Sequence, residues 1–244
     1  MNRRYLIIIF LFVLTLGACK KEEIKEQFAT VNLVNAWTGQ DAVKLNVPVN
    51  FATSSFIYPK AEPSNMITVS SKDGKDVFFS GTYQFKPNIY SMYLYGSALK
   101  PDTMLRAEVD FPYIPKDRTI VTADSVSNIR FVNLSSEGTV LKIIIKYAQN
   151  EPEIPISNDP SLPPPATLSY REISPWSKYP TRATSATLYL FDVLNAETGE
   201  VLIENFFFLL TPTTGYFKNI SLVMTGVPGG AGRNAFRMFQ SNYF

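Results

Sequence analysis

The stretch that decides the fold is VNLVNAWTGQDAVKLNV, residues 31–47, because it returns as IRFVNLSSEGTVLKIII at residues 129–145. The two segments align without a gap, so that Val34-Asn35 coincides with Val132-Asn133. IYSMYLYGS at 89–97 and NISLVMTGV at 219–227 form a second matching pair. Self-similarity on this scale predicts two copies of one unit, with insertions in the middle of the second copy because its later match lies farther away.

The residues within each copy alternate as strands do. Val43, Leu45 and Val47 share one face while Lys44 lies on the other, and residues 141–146 repeat the pattern. Gly, Asp and Ser fill the segments between such runs and indicate turns. Many short strands separated by turns predict an all-β sandwich or barrel.

The repeat also predicts how the chain is divided. We expect a first β domain at 29–120 and a second at 124–244. Six prolines within residues 151–165 exclude an inner strand there and favour an extended loop of the second domain.

The N-terminus has the pattern of an export signal. Arg3 and Arg4 precede an apolar run of 11 residues, Leu6–Leu16, which is shorter than the ~20 needed to span a bilayer. The residues Leu16-Gly17-Ala18-Cys19 then resemble a bacterial lipobox. The resemblance implies cleavage before Cys19, with a diacylglycerol on its thiol and a palmitate-like acyl chain on its amine. We therefore expect a signal peptide at 1–18 and a lipidated tether at 19–28.

This anchor predicts an address and one partner, the membrane. The residue after Cys19 is not the Asp that retains lipoproteins at the inner membrane, so we expect the outer membrane. Glu22-Glu23 resembles an acidic surface-export signal, and the protein is expected to be either periplasmic or exposed on the cell surface.

The charge balance gives no reason to expect nucleic acid as a partner. The full chain has 23 basic and 21 acidic residues, and the excess is Arg3 and Arg4 of the predicted signal peptide. A mature chain near neutrality lacks the basic surface that nucleic-acid binding requires.

Several kinds of catalysis are excluded by composition. The chain has no histidine and one cysteine, Cys19, so it cannot build a Ser-His-acid triad, a Cys-His pair or a His-ligated zinc site. We therefore predict no enzyme activity, no cofactor and no metal. Paired carboxylates, with Glu172 and Asp192 as examples, leave glycoside hydrolysis open. Ser97–Lys100 (S-x-x-K) and the glycine-rich 227–232 are predicted to be turns.

The aromatic residues are the candidates for ligand binding. The chain has 18 Phe, 13 Tyr and 2 Trp, and both faces of the predicted strand at 89–97 carry rings. Exposed rings can stack on sugars or form a protein interface, although core packing is the alternative for each. The candidates are Trp37, Trp176, Tyr90, Tyr93 and Tyr95.

Two further sets of polar residues have predicted roles. Asn35 and Asn133 lie where strands end, and their amides are expected to bond nearby backbone and start turns. Asp102-Thr103-Met104 and Asp124-Ser125-Val126 resemble the Asp-Ser/Thr-apolar glycosylation site of Bacteroidota, and both are predicted to lie in loops.

Four motifs together resemble a known family. IRFVNLS at 129–135, LSYREISPW at 168–176, DVLNAETGEVL at 192–202 and a strand closing in Gly226 are similar to an uncharacterised secreted domain found in tandem in Bacteroidota lipoproteins. The resemblance covers most of 124–244, whereas the first copy fits loosely because it lacks a clear counterpart of residues 172–176. It implies an immunoglobulin-like β-sandwich and brings no established functional residues.

These patterns predict a lipid-anchored, non-enzymatic binding or structural module. A polysaccharide-binding lipoprotein of a glycan-capture system is one alternative, with exposed rings stacking on the glycan. A pilin-like adhesin subunit is another, since such subunits can be lipoproteins with two β domains.

Overall fold

The computed structural model describes residues 27–61, 64–112, 126–135, 138–150, 154–155, 162–181, 186–211 and 218–243. These ranges form strands and one 3-10 turn, Gly232–Asn234, which confirms the prediction of an all-β protein. No helix of the described part is long and apolar enough to cross a membrane. The predicted signal peptide, Cys19, most of the tether, and Asp124 and Ser125 lie outside the described residues.

The first half of the chain forms two four-stranded sheets. Its strands are β1 Thr30–Asn35, β2 Ala42–Leu45, β3 Val47–Asn50, β4 Thr53–Ile57, β5 Asn65–Ser71, β6 Val77–Tyr83, β7 Ile89–Ser97 and β8 Lys100–Ala107. One sheet has the order β4-β1-β7-β8 and the other the order β3-β2-β5-β6.

The second half repeats this plan with longer strands. Its strands are β9 Val126–Ser135, β10 Leu141–Asn150, β11 Ile154–Pro155, β12 Ala166–Leu168, β13 Ser177–Pro180, β14 Thr187–Asn195, β15 Val201–Leu210, β16 Asn219–Gly226 and β17 Arg237–Tyr243. One sheet has the order β13-β9-β16-β17, and the other has the order β11-β10-β14-β15 with β12 also paired to β10.

Each half has its own apolar core, filled by the alternation that the sequence shows. Val31 and Leu33 of β1 meet Val43 and Leu45 of β2 across the two sheets of the first half. Ile129 and Phe131 of β9 do the same with residues of β10 and β14 in the second half. The architecture is therefore consistent with two β-sandwich domains.

The strand pairings of the two halves correspond residue by residue. β1 is parallel to β7 with Asn32 opposite Ser91, and β9 is parallel to β16 with Arg130 opposite Ser221. The expected immunoglobulin-like topology is not confirmed, because immunoglobulin sheets are antiparallel and here a parallel pair lies in the middle of its sheet.

The structure supplies the counterpart that the first copy was expected to lack. The backbone N–H of Ala52 donates to the Asn35 carbonyl, and that of Arg171 donates to the Asn133 carbonyl, both at 2.8 Å. Both residues have positive φ, 57° at Ala52 and 68° at Arg171. Residues 52–57 therefore occupy the place of the segment that begins at Arg171, although the two sequences differ.

The proline-rich segment is an enlarged connection. In the first half a single residue, Asn46, joins β2 to β3. In the second half the equivalent strands β10 and β12 are separated by residues 151–165, and the short β11 within them lies at the edge of its sheet. An edge position accommodates Pro155, which has no N–H to donate to a further strand.

The two halves meet through one sheet from each. β1 and β7 bury both of their faces, as do β9 and β16, because the outer faces of these strands pack on each other. A third apolar cluster fills this junction. Its fully or nearly buried members are Val34, Ala36, Tyr93 and Tyr95 from the first half and Val132, Leu134, Val223 and Phe239 from the second.

Candidate functional site

A buried arginine occupies the centre of the junction. Arg130 lies on β9 between Ile129 and Phe131, which point into the core of the second half. Alternation along the strand therefore turns Arg130 towards the first half. Only 1% of its side chain is exposed, which requires a partner for its charge.

Glu108, just beyond β8, supplies the opposite charge. Arg130 Nη1 donates to Glu108 Oε2 at 2.6 Å and Nη2 donates to Oε1 at 2.7 Å, forming a two-bond fork. The Glu108 side chain is 2% exposed. This geometry is the strongest that an arginine and a carboxylate can form, and here it joins the two halves of the chain.

The Nε and Nη2 donors of Arg130 also have hydroxyl partners. Nε donates to Ser221 Oγ at 2.9 Å, and Nη2 reaches the hydroxyls of Ser91, Tyr93 and Tyr243 at 3.2, 3.0 and 2.9 Å. The guanidinium also lies 4.3 Å from the ring centroid of Trp176. The arginine is thus held by hydrogen bonds in its plane and by an indole on its face.

The surroundings of this cluster raise the pKa values of Arg130 and Tyr93. Burial by itself would lower the pKa of Arg130, but the neighbouring Tyr93, Tyr243 and Glu108 raise it above its ordinary value. Burial raises the pKa of Tyr93 well above the usual tyrosine range. Arg130 therefore keeps its charge and Tyr93 its proton, and the hydrogen bonds of Arg130 to both halves orient them.

A cleft, the edge cleft, lies at one edge of the junction, between β8 of the first half and residues 173–178 of the second. This edge cleft measures about 520 Å3. Its lining residues are Arg106, Glu108, Val109, Asp110, Pro112, Asn128, Ile173, Ser174, Pro175, Trp176 and Lys178. Both halves contribute to it, and Glu108 of the buried ion pair belongs to its lining.

A second cleft, of about 830 Å3, lies at the hairpin ends of the same junction. The β7–β8 turn and the β16–β17 connection form its walls, and Tyr170 and Ser135 are also in its lining. The exposed ion pair between Arg171 and Asp102, 3.0 Å apart, crosses the junction near this end.

Four of the five candidate binding aromatics are buried. Trp37 is 2% exposed in the first core, where its Nε1 donates to the Ser97 carbonyl at 2.6 Å. Tyr90 is 9% exposed in the same core, and Tyr93 and Tyr95 are fully buried at the junction. A sugar cannot reach rings in these positions, so we assign the four to packing.

Trp176 is the exception among the candidates. It is half-buried, with Arg130 on its face and the rings of Phe111 and Tyr243 at its edges, with centroids 5.8 and 5.7 Å away. Its remaining surface lines the edge cleft. The structure therefore separates Trp176 from the other predicted stacking residues and places it at a binding-sized cavity.

The predicted turn-forming asparagines act as a matched pair. Asn35 Nδ2 donates to the Val49 carbonyl at 3.2 Å, and Asn133 Nδ2 donates to the equivalent Leu168 carbonyl at 3.1 Å. Each side-chain oxygen accepts the backbone N–H two residues later, at Trp37 in the first half. They tie the two sheets of each sandwich together, which confirms their structural role.

The candidate carboxylates have separate partners. Glu172 accepts the backbone N–H of Ser169 at 2.8 Å, while Asp192 accepts that of Asn205 at 2.8 Å and lies 3.7 Å from Lys146. Each therefore has a local structural contact. Among the described residues no group of three or more acids could hold a metal ion.

The turn predictions are confirmed at two places and wrong at a third. Ser97 and Lys100 end β7 and begin β8 around a tight turn, and residues 227–232 belong to the β16–β17 connection. Asp102-Thr103-Met104, however, lies within β8 rather than in a loop, and Asp102 is bound to Arg171 and Tyr95. Pairing with β7 places this triplet on an edge strand.

Sequence reasoning did not identify Arg130 and Glu108. The available signal was Arg130 itself, one charge within the apolar run IRFVNL. A charge on one face of a strand is usually solvated, so the run gave no reason to expect an internal partner.

The fold and the junction define an all-β protein of four small sheets, consistent with two sandwiches joined face to face. Compared with models of known protein families, the chain matches none. A comparison with curated proteins finds no match.

Proposed function

We propose that this chain is a lipid-anchored, non-enzymatic binding module of the outer membrane or cell surface. The observation that supports binding most directly is the edge cleft, which needs both halves and carries a half-buried indole, Trp176. Binding sites are typically preformed clefts of this size, and the buried Arg130–Glu108 pair joins the two halves that form this one.

The lipobox supports the anchor. Cys19 is the only cysteine of the chain and follows Leu16-Gly17-Ala18 directly. One acyl chain holds a protein weakly, at ~0.8 kcal/mol per buried CH₂, whereas the two or three chains of a lipoprotein give durable attachment. Residues 20–28 would then act as the tether between the bilayer and the first strand.

The family resemblance is part of the same proposal. The motifs between Ile129 and Gly226 suggest relationship to the tandem secreted domains of Bacteroidota lipoproteins, and with it an immunoglobulin-like sandwich. The support is the residue-by-residue correspondence of the two halves, which is what tandem copies of one domain would produce.

Capture of a polysaccharide is the second candidate, and Trp176 favours it. An indole at a solvent-open cleft offers the flat apolar surface on which sugar rings stack. The polar neighbours Asn128 and Lys178 could bond sugar hydroxyls.

The anchor is tested with Cys19→Ala, and Lys20→Ala serves as the control because it leaves the acceptor thiol. We expect fatty-acid labelling and membrane association in wild type and in Lys20→Ala, and their loss in Cys19→Ala. Normal labelling of Cys19→Ala would refute the anchor. Hydrolysis of a glycan or an ester by the purified wild-type protein would refute the non-enzymatic assignment.

A further inference from the structure

We propose that the edge cleft binds a saccharide that carries a carboxylate, a uronic acid, with its ring on Trp176 and its carboxylate between Arg106 and Lys178. The proposal rests on the binding function proposed above and names the ligand class of the same cleft. Three features of the cleft lead to it.

The first feature is the placement of the two cations on opposite walls. Arg106 of β8 pairs with Ser91, whose hydroxyl contacts Arg130 and therefore faces the second half. Lys178 of β13 pairs with Asn128, two residues before Arg130 on the same face of β9. Directly paired residues share a face, so the two side chains project into the junction from its two sides.

The second feature is that these two charges have no acidic partner among the described residues. Three other cations of the junction do have one: Arg130 pairs with Glu108, Arg171 with Asp102 and, at 2.7 Å, Arg233 with Asp41. Arg106 and Lys178 are exposed and form no ion pair with the described part of the chain.

The charges of the whole cleft leave an excess of one cation. Its acids are Glu108, which the buried Arg130 neutralises, and the exposed Asp110. Two cations against the one remaining carboxylate favour an anionic ligand over a neutral one. Arg106 can hold a carboxylate through two parallel N–H donors, and Lys178 can add a third.

The third feature is the apolar platform beside the charges. Trp176 and Pro175 line the cleft together with the half-buried Ile173. Because Arg130 occupies one face of the indole, only the opposite side and the exposed edge remain for a ligand. A cavity of about 520 Å3 accommodates a short oligosaccharide, with sugar C–H groups on the platform and the acid at the cations.

The test uses the full chain in detergent, titrated with trigalacturonic acid and with its trimethyl ester as the neutral probe. Tryptophan fluorescence is a suitable readout because the chain has two tryptophans and the other, Trp37, is buried. We expect saturable quenching by the acid and at least tenfold weaker binding of the ester.

Arg106→Gln and Lys178→Gln should each weaken binding of the acid about five- to tenfold, whereas Lys142→Gln, an exposed residue of β10, should leave it unchanged. Both cleft residues are exposed, so these variants should keep the melting temperature of wild type. Trp176→Leu should lose binding, measured by titration calorimetry because this variant removes the fluorescent reporter.

Absence of binding, equal binding of the ester, or unchanged binding by both glutamine variants would overturn the proposal. Equally tight binding of tetraglutamate would also overturn it, because the site would then recognise an acidic peptide. None of these results depends on Cys19 labelling, so a failure here leaves the anchor intact and can be told apart from a failure of the lipoprotein assignment.

Discussion

Replacing Arg130 by methionine is expected to destabilise the protein by loosening the junction. Methionine keeps much of the side-chain length but removes the charge and the N–H donors that contact six oxygen atoms. The Glu108 carboxylate would stay buried, with its side chain 2% exposed. It would lose both hydrogen bonds from Arg130 and keep the one that the Ser91 hydroxyl donates. An uncompensated buried charge is the dominant cost.

The size of this effect follows from the burial of the pair. Removing one partner of a buried ion pair costs about 3–5 kcal/mol. For a chain of this length each kcal/mol lowers the melting temperature by about 2–4 °C, so a fall of roughly 10 °C is expected. In contrast, Lys146→Met removes an exposed cation that is 3.0 Å from Glu204, and should cost at most about 1 kcal/mol.

The double variant Arg130→Met/Glu108→Leu separates the charge from the packing. It removes both charges and should recover most of the loss, because apolar replacements of a buried pair are often neutral. Urea unfolding followed by circular dichroism, on both single variants and the double, gives the coupling free energy. A cost below about 1 kcal/mol for Arg130→Met, or no recovery in the double variant, would refute the buried-pair argument.

Three further predictions concern the scaffold and its pH dependence. Gly226→Ala should destabilise the protein strongly, because φ is +88° and a Cβ would overlap the Ala235 carbonyl. Gly229→Ala should cost less, since its Cβ meets nothing within 4 Å. Equal melting temperatures of the two variants would contradict this. Asn133→Ala should cost about 1–3 kcal/mol, because the buried Leu168 carbonyl and the Ser135 N–H lose this side chain as a partner. The exposed Asn242→Ala should cost little, and equal melting temperatures of the two variants would contradict this. Burial and the nearby Asp102 raise the pKa of Tyr95 to about 12, against ~10 in an unfolded chain. The free energy of unfolding should therefore be constant below pH ~10 and fall as the pH rises towards 12. An unchanged urea midpoint at about pH 11 would contradict this prediction.

The part of the fold that sequence could predict is the part that obeys a local rule. Alternation placed Val31 and Leu33 on one face of a strand, and the structure puts both in the first core. The repeat predicted that Ile129 and Phe131 would behave alike, and they lie in the second core. The side-chain period along a strand needs no knowledge of the partner strand, so these expectations were reliable.

The contact between the halves has no such rule. Rings on both faces of β7 did indicate that both faces contact something, but a ring looks the same in sequence whether a sugar or another sheet covers it. Tyr93 and Tyr95 turned out to face the second half. Trp176 was assigned to the same class as these tyrosines, and only its position at the rim of the junction distinguishes it.

Arg130 could not be recognised from the sequence because the sequence does not show that its strand face packs on the other half. Arg130 occupies the position that Asn32 has in the first half, since each lies opposite an equivalent serine, Ser221 or Ser91. Repeats of one sequence would be expected to pack on copies of themselves as readily as on each other. A difference at this one buried position is enough to remove that symmetry.

Glu108 and Tyr243 are the other half of this asymmetry. The backbone N–H of Glu108 donates to the carbonyl of Ile89, the first residue of β7. Tyr243 is the strand partner of Asn219, the first residue of β16. Glu108 in the first half and Tyr243 in the second therefore occupy equivalent positions. Two first halves would bury Glu108 with no arginine, and two second halves would bury Arg130 with no carboxylate. An unpaired buried charge costs several kcal/mol, so the substitutions favour the union of unlike halves within one chain over self-association of either. That union creates the edge cleft, to which β8 and β13 contribute one wall each.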